Sequence, residues 1–73
     1  MSKLPSASGA QAIRAFSKAG FQPARQRGSH VVLKKDGYPL LLSVPLHAEL
    51  KKGTLRALIA DSGLTVAQFC ANL

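Results

Sequence analysis

The chain has 73 residues, 47% of them hydrophobic, a formal net charge of +7 at pH 7 and one cysteine. That length fits a single domain, 1–73, near the size at which one core only just suffices, and the apolar content excludes a disordered basic tail. No apolar run approaches the roughly 20 residues of a membrane span, Met1 to Pro5 offers no signal-peptide core, and a lone Cys without a His or Cys cluster excludes an intramolecular disulfide and gives no metal site.

A reducing cytoplasm is the economical location for such a chain, and Cys70 reads as a small core residue of a helix. Ser8 followed by Gln11 predicts a capping box, in which each side chain satisfies an otherwise orphaned N–H of the first turn. Ile13 and Phe16, widened by Ala12 and Ala19, share one helical face. Gly20 suits the left-handed residue after a helix, with Phe21 closing back on Phe16 as in a Schellman ending. A helix is therefore predicted over about Gly9 to Ala19.

The pattern then changes to strand. Phe21 to Arg27 reads as a weak edge strand, because Pro23 cannot donate to a ladder. Gly28 allows a turn, and His30 to Lys35 is a β-branched run. Asp36-Gly37 predicts a two-residue hairpin loop with positive φ at both positions, and Tyr38 to Val44 returns as the partner strand. With that loop, Lys35 faces Tyr38, Leu33 faces Leu40 and Val31 faces Leu42, all on an apolar face. The alternate pairs are His30 with Ser43, Val32 with Leu41 and Lys34 with Pro39, so His30, Ser43 and Lys34 are expected on the more polar face, away from the helices.

Pro45 to Gly53 reads as a loop. Thr54 is expected to cap a helix running to about Ser62, with Leu55, Leu58 and Ile59 on its apolar side and Gly63 ending it. Thr65 and Gln68 form a second capping box, opening a short helix through Val66, Phe69 and Cys70. The order α-β-β-β-α-α describes an α+β fold: a three-stranded antiparallel sheet with helices on one face and the other left to solvent. Thr54 to Phe69 imitates a helix-turn-helix. A DNA reader needs polar or basic side chains early in its second helix, whereas Val66-Ala67-Gln68-Phe69-Cys70-Ala71 reads as buried, so no direct DNA binding is expected.

Charge is distributed unevenly. Lys3, Arg14, Lys18, Arg25, Arg27, Lys34 and Lys35 face no acid within residues 1–35, while Lys51, Lys52 and Arg56 are balanced by Asp36, Glu49 and Asp61. A lopsided positive field attracts polyphosphate by Coulomb steering and counterion release. Beside it, His30 is the sharpest candidate for chemistry. Cleaving RNA without a metal takes a base for the ribose 2′-OH, an acid for the leaving 5′-oxygen and cations for the crowded phosphate. Histidine, with an unperturbed pKa near 6.5, suits the first two roles, and Arg and Lys suit the third. The bland alternative is a solvated strand histidine; the Gly28-Ser29 turn, the surrounding cations and the polar-face register weigh against it. Arg25, Arg27, Gly28, Ser29 and Lys34 are the candidate RNA-binding residues. His47 is the candidate general acid, although a histidine just after Pro45 also reads as a brace for the loop, and Lys51-Lys52 reads as solvated surface.

Together, Arg25-Gln26-Arg27-Gly28-Ser29-His30, Val44-Pro45-Leu46-His47, Glu49-Leu50-Lys51-Lys52-Gly53-Thr54-Leu55-Arg56, Gly63-Leu64-Thr65 and Phe69 resemble the HicA (YcfA-like) toxin family. Lys3-Leu4-Pro5 with Ser8-Gly9, and Lys18-Ala19-Gly20-Phe21, are similar to the family's opening, so the resemblance covers nearly the whole chain. It implies a double-stranded-RNA-binding-domain-like fold and a toxin that acts as a metal-independent endoribonuclease on mRNA (an mRNA interferase), without a cofactor. The histidine of its Gly-Ser-His, here His30, is implied as the catalytic residue, and a HicB-type antitoxin as the partner covering it. A small RNA-binding domain that does not cleave would explain the charge equally well; only the nuclease needs His30.

Overall fold

The computed structural model describes residues 3–73, so Met1 and Ser2 of the expected domain lie outside the described residues. Helix α1 spans Gly9–Lys18, and both of its ends follow from side-chain chemistry. Ser8 Oγ accepts from Gln11 N–H at 3.0 Å while Ser8 N–H donates to Gln11 Oε1 at 2.9 Å, the reciprocal cap expected. At the other end Gly20 takes φ +104°. Phe21 N–H then reaches Phe16 O at 3.1 Å and Gly20 N–H reaches Ser17 O at 3.0 Å, the two bonds of a Schellman ending. The Phe16 and Phe21 rings meet edge to face, 6.1 Å apart.

Three antiparallel strands follow, β1 (Gln22–Arg27), β2 (His30–Lys34) and β3 (Leu42–Pro45), with β2 in the centre. The tight hairpin in this sheet is Gly28-Ser29: Arg27 pairs with His30 across it, and Gly28 at φ +59° supplies the positive φ that a two-residue loop with Gly first requires. Gln26 Nε2 donates to Gly28 O at 3.0 Å and braces the turn. As expected for a strand containing Pro23, β1 is an edge, and the ladder bulges at Ala24 beside the missing N–H.

The Asp36-Gly37 turn departs from expectation. It is closed by Tyr38 N–H to Lys35 O at 3.0 Å, but only Gly37 has positive φ (+75°) and Asp36 does not. A turn of that hand does not match the strand twist, and Tyr38 leaves the sheet: its ring packs edge-on against Phe21 at 5.6 Å and its hydroxyl donates to Asp61 O. Pro39 then has no N–H to offer. Residues 38–41 therefore stay outside the ladder, with Leu40 and Leu41 exposed, and β3 begins at Leu42 instead of Tyr38. The pairs are His30–Pro45, Val31–Val44, Val32–Ser43 and Leu33–Leu42, two residues along β3 from the expected register. Because side chains alternate with period two, a shift of two leaves each residue that stays in β2 or β3 on its expected face, whereas Leu40, expected on the apolar face, is exposed outside the ladder.

Helix α2 (Lys52–Ser62) starts before Thr54, which is not its cap; the N-cap is Lys51, with no side-chain bond. The cause is upstream. Leu50 is buried and its N–H is held by Ala7 O at 2.8 Å, so the chain is already anchored where the first turn begins. Lys52 Nζ donates to Pro5 O at 3.1 Å and to Ser6 Oγ at 3.3 Å, tying the N-terminal segment to that turn. Gly63 ends α2 at φ +78°, and α3 (Val66–Asn72) opens with the expected Thr65–Gln68 capping box. Phe69 of α3 is fully buried and Val66 packs half-buried against the same core, while Ala67, Gln68 and Ala71 are exposed, contrary to the buried helix expected.

The core lies between the sheet's inner face and the helices. Val31, Leu33, Leu42 and Val44 meet Phe16, Phe21, Leu55, Ile59 and Phe69 there, and Phe16 and Phe69 pack with ring centres 5.1 Å apart. Each fully buried side chain of this size contributes about 1.5–3 kcal/mol. The fold is the α-β-β-β-α-α arrangement read from the sequence, with an open three-stranded sheet.

Candidate functional site on the open sheet face

The outer face of the sheet is a small grid. One row runs Arg27, His30, Pro45 across β1, β2 and β3; the next runs Arg25, Val32, Ser43; a third pairs Gln22 with Lys34. Directly opposed residues have Cβ atoms about 4.5–5.5 Å apart and diagonal ones about 7–8 Å, so Arg27 beside His30 and Arg25 on the diagonal both stand within side-chain reach of it. Arg25, Arg27, Gly28, Ser29, His30, Lys34 and Ser43 are all exposed, whereas Val32 is only 9% exposed and forms an apolar floor between Arg25 and Ser43.

His30 has one side-chain partner here. Its Nδ1 lies 3.4 Å from Ser43 Oγ, along the diagonal between the first two rows. Pro45, directly beside His30, has no N–H, and the ladder is completed one residue later by Leu46 N–H to Ser29 O at 2.6 Å. With Gln26 on Gly28 O, both carbonyls of the turn before His30 are engaged. The turn that carries the Gly-Ser-His sequence is thus held from both neighbouring strands.

His47 lies two residues past Pro45. Its backbone carbonyl accepts Gly9 N–H at 2.9 Å, which bolts this loop to the start of α1, and its side chain is exposed. The bracing expected of this position is done by main chain, so the imidazole is not spent on it. Gly9 permits the contact because its α-carbon carries only hydrogen: a Cβ there would overlap Pro45 O and sit 2.9 Å from Leu46 Cα.

The basic half of the chain does not all face one way. Arg25, Arg27 and Lys34 share the His30 face. Arg14 and Lys18 are exposed on α1, in the helical layer that covers the opposite side of the sheet, and Lys35 Nζ lies over the Phe21 ring at 5.6 Å and the Tyr38 ring at 5.9 Å. Of the seven cations in residues 1–35, Arg25, Arg27 and Lys34 thus stand on the His30 face, while Arg14, Lys18 and Lys35 do not. Ser43, expected directly opposite His30, stands on the diagonal because β3 is shifted by two residues. No three His, Cys, Asp or Glu side chains gather among the described residues, and no helix there is long and apolar enough to cross a membrane.

A family model described as the HicA toxin of bacterial toxin–antitoxin systems matches residues 9–64. The chain belongs to the HicA toxin family. No curated protein matches it. The matched span starts at the first residue of α1 and ends just past α2, so it contains the whole sheet, His30, Ser43 and His47, and leaves α3 outside. Membership makes this HicA-family chain the toxin of a toxin–antitoxin system, with an antitoxin as its partner.

Proposed function

We propose that this toxin is a metal-independent endoribonuclease that cuts mRNA in the cytoplasm and so stops translation, with His30 as its catalytic residue. The observation that carries the reading is the position of His30: exposed on the open sheet face, on a turn braced through both carbonyls, with Arg27 opposite and Arg25 diagonal. The imidazole takes the proton of a ribose 2′-hydroxyl as its oxygen attacks the adjacent phosphorus. The P–O5′ bond breaks, the 5′-oxygen takes a proton, and the products are a 2′,3′-cyclic phosphate and a 5′-hydroxyl. Arg25 and Arg27 neutralise the phosphate as charge gathers on its oxygens, and Lys34, Gly28 and Ser29 extend the surface on which the strand lies.

His47 supplies the proton to the leaving oxygen in this scheme. It lies two residues past Pro45, which flanks His30 on β3, and its side chain is exposed. A HicB-type antitoxin silences the toxin by covering this face, where its carboxylates meet the same arginines and RNA is excluded by shape and charge. The deciding experiment is cleavage of a defined RNA by the wild type and by His30→Ala, with and without EDTA, and with 2′-deoxyribose at the scissile position. Cleavage that resists EDTA and needs both His30 and the 2′-hydroxyl supports the reading. RNA binding without cleavage by the wild type would leave a binding module instead.

A further inference from the structure

We infer that Ser43 is a positioning residue for His30: its hydroxyl holds the imidazole through Nδ1–H and leaves the lone pair of Nε2 turned to the substrate. The inference deepens the cleavage proposed above and rests on it for its catalytic consequence; the Ser43–His30 contact stands on geometry alone. Nδ1 and Oγ are 3.4 Å apart across the β2–β3 diagonal. The other neighbours on this face cannot replace Ser43. Pro45, beside His30, offers no side-chain polar atom, and Arg27 and Arg25 on the other flank are donors with no acceptor atom. A proton on Nδ1 therefore has one side-chain acceptor close by on this face, Ser43 Oγ.

The bond made by one ring nitrogen fixes the state of the other. With Nδ1–H donating to Ser43, Nε2 is unprotonated and lies on the far side of the ring from the strand, as a base for a 2′-hydroxyl requires. At 3.4 Å the contact is long for a neutral pair. When Nε2 gains the substrate's proton, Nδ1–H becomes a charged donor, and charge-assisted bonds are shorter and stronger. The contact therefore favours the transition state over the resting enzyme, which lowers the barrier instead of tightening binding.

The test uses the full-length 15N-labelled toxin and long-range proton–nitrogen spectra of the His30 ring, which report the tautomer directly. The wild type is expected to hold the Nδ1–H form, Ser43→Ala to revert towards the Nε2–H form that free histidine favours, and Ser43→Thr to restore the wild-type spectrum. On RNA, Ser43→Ala is expected to lose roughly five- to twentyfold in kcat with KM within about twofold, and Ser43→Thr to recover it. Identical His30 nitrogen shifts in wild type and Ser43→Ala would overturn the inference, as would an altered tautomer with unchanged kcat. A wild type that cuts no RNA would refute the cleavage reading alone, because the spectra decide the Ser43 contact by themselves.

Discussion

Replacing Gly9 by alanine should destabilise this protein, against the usual rule. In a helix Gly→Ala gains roughly 0.5–1 kcal/mol by restricting the unfolded chain. At Gly9 the added Cβ would overlap Pro45 O and stand 2.9 Å from Leu46 Cα and 3.0 Å from Pro45 C, all backbone atoms that cannot rotate aside. Forcing a methyl into such a contact costs about 1–3 kcal/mol. Separating α1 from β3 would also stretch the Gly9 N–H to His47 O bond, a further ~0.5–1.5 kcal/mol. The net expectation is a loss of about 0.5–4 kcal/mol once the propensity gain is subtracted, and each kcal/mol lowers Tm by roughly 4–8 °C for a domain of this size. Gly53→Ala is the matched control, since Gly53 lies in α2 where an added methyl would meet open space, and it should gain stability. Thermal and urea unfolding of both variants beside the wild type decide the matter. A Gly9→Ala protein as stable as Gly53→Ala would refute the close approach of α1 to the end of β3.

His30→Ala should unfold within about 0.5 kcal/mol of the wild type, because an exposed side chain with one long contact leaves no cavity, while RNA cleavage falls by about 10²–10⁴-fold; wild-type rates would remove His30 from the mechanism. Arg25→Ala and Arg27→Ala should each weaken RNA binding and lower the slope of log affinity on log salt by about 0.7 per lost phosphate contact; a slope unchanged in both would place the RNA elsewhere. Phe16→Ala, which empties a fully buried site between Phe21 and Phe69, should cost about 3–5 kcal/mol in denaturant unfolding. Crosslinks from a co-purified antitoxin should map to β1, β2 and the 28–30 turn, and crosslinks confined to 54–73 would exclude occlusion of His30.

Local chemistry made much of the fold legible. Ser8–Gln11, Thr65–Gln68 and Gly20 each specify a helix end through bonds within a few residues, and each forms as expected. What failed depended on distant partners. Asp36-Gly37 has the composition of a tight hairpin loop, but Tyr38 is drawn out of the ladder by Phe21 and by the Asp61 carbonyl, neither of which sequence spacing reveals. Thr54 is a good cap residue overruled by the anchoring of Leu50 to Ala7, more than forty positions away in the chain. The face of His30 nevertheless came out correctly. The buried set Val31, Leu33, Leu42 and Val44 fixes the parity of both strands, and only an odd slip would have turned His30 inward.

The same parity separates what stabilises this protein from what the open face does. Val31, Leu33, Leu42 and Val44 are held by the core, and of the residues on the other face of β2 and β3, His30, Lys34 and Ser43 are exposed while Val32 and Pro45 are covered. The placement of the exposed three therefore depends on how the backbone beneath them is held: the Gln26 side-chain amide on Gly28 O, Leu46 N–H on Ser29 O, and Gly9 N–H on His47 O. The first two fix the turn that carries His30 and join it to the end of β3; the third joins that end to α1. Side chains on the outer face can consequently change with little effect on folding, which leaves them open to adaptation towards a substrate or an antitoxin. The backbone beneath them has no such freedom. A single methyl at Gly9 would act on α1, on Pro45 and on the segment bearing His47 together, because all three meet at that α-carbon.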